Sequence, residues 1–256
     1  MNAISADHAR SYVYNLELPP VTRTRGESAD TAKLNFDGVK NQAMVVGSDI
    51  VSFVKGVRPE RREDIVNSSL LAQLAAKKKV KDTAKIYDWY NAYFDVLMNI
   101  GWVMQDRSFA TYTEASENFE AHEAIIKVAT SLLGPTAAAL TVVKSALGAL
   151  KSMSEDSPWI TLFNRESQSA NTARFQVTQT EQGDSDEFLV SLIAFGIEAK
   201  AKLTQVLFFK FSSNEATLKH YSGKVTINAD VLSTARKPIK DRISEFTKNY
   251  IEELPI

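Results

Sequence analysis

The chain contains no cysteine. That absence removes disulfides, thiolate metal sites, cysteine nucleophiles and lipid anchors linked through sulfur, and it leaves the redox compartment unreadable. Histidine is almost as scarce, with only His8, His122 and His220. His122-Glu123 opens like a zincin helix, but Ile126 stands where the second histidine is needed, so no metal ligand is assigned. The glycine-framed serine of hydrolases and the glycine-rich phosphate and dinucleotide loops are all missing, and no catalytic residue or cofactor is assigned either. An excess of either charge is lacking too: 30 basic against 31 acidic residues leave a net charge of -1, which argues against a nucleic-acid binder while leaving room for a small local basic patch.

Long apolar runs are also absent. The longest uncharged stretch, Val128 to Val143, has 16 residues, short of the roughly 18 to 20 that span a bilayer as a helix. Asp7 and Arg10 interrupt the region where a secretory signal carries its apolar core. The expectation is a soluble protein, cytoplasmic in its producer, which reaches any outside target by release or by export without a classical signal peptide.

What is present is ample apolar material: 44% of 256 residues are hydrophobic, enough to bury a large core without a metal or a disulfide. Residues 1–40 read as a partly extended or mobile segment, with Tyr12, Tyr14, Leu16 and Leu18 alternating like a strand before Pro19-Pro20. From Asn41 to Val54 the apolar positions Met44, Val45, Ile50, Val51 and Val54 match helical spacing. A second helix starts at Pro59, a first-turn proline followed by Glu60, and ends in the lysine run at 77 to 81. A third, Thr83 to Val103, carries Trp89, Tyr90, Tyr93 and Trp102, an aromatic density that belongs to a core.

Beyond Pro158 β-branched and aromatic runs predict strands at Ala173 to Thr180, Phe188 to Glu198, Gln205 to Phe211 and Ala216 to Ile227, with a hairpin turn at Ser212 to Glu215 and a closing helix from Val231 to Tyr250. The acidic turn EQGDSDE, with Glu181, Asp184, Asp186 and Glu187, reads as a solvated hairpin turn rather than a calcium loop. The fold class is α+β in a single domain over 1–256: a helical part at 41–153 and, at 158–256, an antiparallel sheet of about four strands with a terminal helix.

Ala124 to Leu150 is the most distinctive segment, 27 residues with only Lys127 and Lys144 charged and Gly134-Pro135 at its middle. It reads as two helices, Glu120 to Leu133 and a second running to Met153, each too short to cross a bilayer. Ile125, Ile126, Leu132, Leu133, Leu140, Val143, Leu147 and Leu150 form its apolar side, while Ala137, Thr141, Ser145 and Ala149 recur at every fourth residue. Two uses fit: the close-packed spine of the fold, or a hairpin that enters a membrane. Lys77, Lys78, Lys79 and Lys81 could meet anionic headgroups at about 1 kcal/mol per lysine, although a solvated helix end needs the same residues.

Two blocks, QAMVVGSDIVSFVKGV with REDIVNSSLLAQLAAKKK and WYNAYFDVLMNIGWVMQ with its Gly101-Trp102 pair, resemble the Erwinia virulence factor family of small bacterial host-interaction proteins. The resemblance implies an α/β fold, a host-interaction role without known enzymatic activity, and membrane association. The family's cysteine-linked acylation has no counterpart in a chain without cysteine, and no functional residue carries over. The expected function is therefore a non-enzymatic virulence or toxin-like protein acting on host cells, its partner a host membrane lipid or a host protein, with the oligomeric state open. The alternative is a soluble ligand-binding or protein-interaction module in which Trp89, Tyr90, Tyr93 and Trp102 line a pocket. An enzyme would need acids to converge on His220 or Tyr221.

Overall fold

Residues 42–53 overturn the expected architecture. They form not a helix but a β-hairpin, β1 (Gln42–Val46) and β2 (Asp49–Phe53), in a computed structural model that describes residues 4–21, 34–112, 118–183, 188–208, 210–212 and 215–256. All ten strand residues are buried. A strand covered on both faces loses the polar alternation that marks a half-exposed one, and its apolar positions then fit a helical period by accident. The turn is made by Gly47 at φ +57°, where a Cβ would collide with the Gln73 amide oxygen.

The hairpin sits inside a nine-stranded mixed sheet instead of the expected antiparallel sheet of about four strands. β2 pairs in parallel with β7 (Thr172–Gln182), Ile50 opposite Val177. β7 pairs antiparallel with β8 (Phe188–Ala199), and β8 with β10 (Ala216–Ile227). On the other flank β1 pairs with β11 (Ile251–Leu254), a strand with no forewarning in its four residues. Three two-residue strands complete the sheet: β3 (Trp102–Val103) and β4 (Ala110–Thr111) against β10, and β6 (Gln168–Ser169) against β7. The strand expected at 205–211 is reduced to β9 (Lys210–Ser212), which pairs with β5 (Asn118–Glu120) in a separate ribbon. The turn expected at 212–215 therefore joins no hairpin of the main sheet, and residues 213–214 lie outside those described, as do Asp184, Asp186 and Glu187 of the acidic turn.

Helices cover both faces. On one lie α2 (Pro59–Lys79), α3 (Ile86–Asn99), α7 (Ala229–Ile243) and α1 (Ala6–Asn15). α1 corrects the expected strand at 11–18: Ser5 caps it by accepting from the His8 amide, and Ala9 and Val13, four apart, are its buried residues. α2 starts at Pro59 as expected and is buried from Asp64 to Ala76. The closing helix is shorter than expected; α7 packs on α1 and α2, and a single turn, α8 (Thr247–Tyr250), leads into β11.

On the other face lie α4 (Ala121–Leu133), α5 (Ala138–Ser152) and α6 (Pro158–Ser167). α6 was not foreseen, although Ser157 at its N-cap and Pro158 in its first turn carry the ordinary start signals. The two faces follow strand alternation: Met44, Val46, Val51 and Leu192 point to α2 and α3, while Ala43, Val45, Ile50, Ile193 and Phe195 point to α4 and α5.

Candidate functional site

The spine of the fold is thus the sheet, and residues 124–150 form an outer layer upon it. α4 crosses β8 and β10, and α5 crosses β1, β2 and β7. The buried residues of the pair are Ala121, Ala124, Ile125, Val128 and Ala129 in α4, and Ala139, Leu140, Val142, Val143, Ala146, Leu147 and Leu150 in α5; His122 is their single polar companion. Ile126, Leu132 and Leu133 are half-buried against the same core. Lys127 and Lys144 face outward, as do Thr141 and Ser145 of the small-residue row, which therefore admits no neighbouring backbone.

The tip of the hairpin is built for a reversal. Gly134 ends α4 at φ +97°, its amide donating to the Thr130 carbonyl, and Pro135 follows with both neighbours of the reversal exposed or half-exposed. No helix among the described residues is long and apolar enough to cross a membrane.

The root is polar and tied. The His122 amide donates to the Leu207 carbonyl at 3.0 Å, its Nε2 lies 3.3 Å from the Lys151 ammonium at the end of α5, and its Nδ1 lies 3.0 Å from Glu120 Oε2. Lys210 reaches the other Glu120 oxygen at 3.9 Å, and the Phe208 ring stands 5.3 Å from the imidazole. Burial, then the nearby Lys151 charge, hold His122 below its ordinary pKa, with the Glu120 and Glu123 carboxylates opposing in part. One atom each from Glu120, His122 and Glu123 lie within 4.8 Å of one another. The zincin pattern looks only to the helical i+4 partner of His122, which is Ile126. Glu120, at the junction of β5 and α4, becomes its neighbour because a strand ends there.

The lysine run is elsewhere. Lys77 pairs with Glu166 at 2.9 Å and lies over the Tyr250 ring, Lys78 stands 4.0 Å from Glu17, Lys79 shares with Lys78 a surface cavity between α1, α2 and α3, and Lys81 is exposed beyond the helix. α2 and the α4–α5 pair occupy opposite faces of the sheet, so the structure does not bring these lysines to the apolar hairpin residues. Nor do the aromatic residues line a pocket floor. Trp89 stacks on Tyr93 at 5.3 Å, Tyr90 on Phe94 at 5.8 Å, and Trp89, Tyr90, Tyr93 and Trp102 are all buried in the core they fill. His220 and Tyr221 point to opposite faces of β10.

No family model and no curated protein matches the sequence. Among solved structures the chain is similar to one titled delta-endotoxin, at 14% identity over 84% of this chain and 95% of that one, with a TM-score of 0.39. It is also similar to the one titled structure of the Evf virulence factor, at 12% identity over 95% of this chain and 90% of that one, again with a TM-score of 0.39. Both resemblances are distant, and no residue or activity passes through them.

Proposed function

We propose that the protein is a non-enzymatic, virulence or toxin-like protein that acts on host cells through membrane lipid, with the α4–α5 hairpin as the element that engages the bilayer. The observation that carries this reading is the make-up of the layer: apart from His122 at its root, each buried residue of the pair is apolar. Hydrophobic contact is non-directional, and lipid repays it as well as a protein core does. Peeling the hairpin from its tip would expose Leu132, Leu133, Leu140 and Val143 first, while the root stays tied at His122 and Lys151. Each helix is too short to span, so the hairpin would lie in the interface rather than across the bilayer. The resemblance of the sequence blocks at 42–57, 62–79 and 89–105 supports the host-directed setting.

Vesicle co-sedimentation and dye leakage, with and without anionic lipid and across pH 4 to 10, test the reading. Binding is expected, and a Leu132→Ser, Leu133→Ser pair at the half-buried tip should weaken it about 10-fold or more while leaving the fold intact. Failure to bind any vesicle at any pH would sink the proposal.

A further inference from the structure

We propose that Glu120, His122 and Glu123 form a binding site for a divalent transition-metal ion of the zinc class at the root of the hairpin. The site is independent of the membrane reading. It rests on donor chemistry and on one unmet valence. The donors are an imidazole nitrogen and two carboxylates, with their atoms within 4.8 Å of one another. Small side-chain rotations would bring them to the roughly 2.0 to 2.2 Å that zinc requires of nitrogen and oxygen, with water completing four-coordination.

The unmet valence is His122 Nδ1. The residue is only 8% exposed, and Glu120 Oε2 stands 3.0 Å from Nδ1, yet the contact is too far off line for a hydrogen bond and no hydrogen bond reaches that nitrogen. A buried ring nitrogen without a partner is costly, about 1–3 kcal/mol. A cation placed between Nδ1, Glu120 Oε2 and the Glu123 carboxylate would satisfy it and would be held by groups on one rigid strand-to-helix junction. Lys210 approaches the other oxygen of Glu120, which leaves Oε2 available.

One contact opposes the ion, and it sharpens the test. Lys151 Nζ lies 3.3 Å from Nε2, where it donates to a ring whose proton is on Nδ1. Metal on Nδ1 moves that proton to Nε2, and a metal-bound histidine then wants an acceptor there, a carbonyl or carboxylate, not an ammonium. Lys151 is exposed and free to withdraw, so it acts as a tunable brake on affinity.

Titration of the tag-free full chain with Zn²⁺ by calorimetry, alongside ¹⁵N spectra of the imidazoles, decides the matter. Expected is one site whose binding shifts Nδ1 of His122 and not the nitrogens of His8 or His220. Glu123→Gln, on an exposed side chain, should weaken it about 10-fold or more. Lys151→Gln, which supplies an acceptor to Nε2, should tighten it about 10-fold, within the range second-layer partners command. Absence of binding at millimolar Zn²⁺, binding indifferent to Glu123→Gln, or unchanged or weaker binding in Lys151→Gln would each overturn the site. A purely structural role for His122 moves stability in these variants but not zinc affinity.

Discussion

The two faces of the sheet are covered by helices of similar length attached in different ways. Beneath α2 and α3 the attachment is bonded. Ser69 and Thr178 donate to Asp49 at 2.7 and 2.8 Å, Gln73 donates to the Val46 carbonyl and accepts from Ser48, and the Tyr90 hydroxyl accepts from Gln176 while facing the Phe175 and Phe195 carbonyls. Arg62, wholly buried, donates to the carbonyls of Val57, Lys40 and Val54 and so clasps the open end of the β1–β2 hairpin. Arg236 reaches across from α7 in a two-pronged pair with Asp64. Beneath α4 and α5 the attachment is apolar contact. Directional bonds fix one arrangement and fail abruptly when displaced, whereas apolar contact tolerates sliding and exchange of partner. The difference makes the first face the more tightly specified of the two, and the proposed membrane engagement draws on the second.

Truncating the apolar face should give the largest loss. Leu150→Ala removes a wholly buried side chain from the apolar core and should cost about 3 kcal/mol or more in urea unfolding, through lost contact and the cavity left behind. A loss below about 1 kcal/mol would mean that α5 is already loosely held.

Asp49 supplies a comparable but pH-dependent effect on the bonded face. Burial raises its pKa to about 6, with the hydrogen bonds from Ser69 and Thr178 opposing in part, and Tyr93 and Tyr90 are its titratable neighbours. Because the folded carboxyl titrates above the unfolded one, its contribution is complete below about pH 4 and is lost as pH rises through 6, to the extent of about 3 kcal/mol. Unfolding free energy measured from pH 4 to 7 should show that fall, and Asp49→Asn should flatten it. An identical profile in the variant would refute the assignment.

Smaller still is Tyr90→Phe, which deletes the oxygen that accepts from the Gln176 amide and the one proton shared between the Phe175 and Phe195 carbonyls, for about 1–2 kcal/mol. The smallest is Lys77→Ala. Its pair with Glu166 is half exposed and should be worth less than about 1 kcal/mol, and vesicle binding should be unchanged because the lysine run lies across the sheet from the hairpin. Reduced vesicle binding in this variant would return the lysines to the lipid-facing surface.

Local signals were readable wherever one segment decides its own structure. α2 announces itself by Pro59, Glu60 and its closing lysines, and the strands at 172–182, 188–199 and 216–227 by β-branched runs of ordinary length. What escaped depends on distant partners. β1 and β2 lost their alternation to burial on both sides, and β11 is a strand only because β1 offers it an edge. α1 was hidden by tyrosines and leucines that alternate by chance, since its buried pair is only Ala9 and Val13. In the candidate site, the apolar hairpin and its Gly-Pro break were legible from composition. The cluster at its root was not: Glu120 meets His122 only because β5 ends where α4 begins, and the Lys151 and Lys210 contacts come from 29 and 90 residues away.

The position of the β1–β2 hairpin also bears on how the chain folds. It is built from neighbouring residues, but its two edges are closed by β7 on one side and by β11 on the other. Until residues 172–182 and 251–254 arrive, it presents two open edges of largely apolar strand, a template for pairing with other chains. Truncation at the C-terminus by as few as six residues should therefore lower the yield of soluble protein by far more than the area of β11 would suggest.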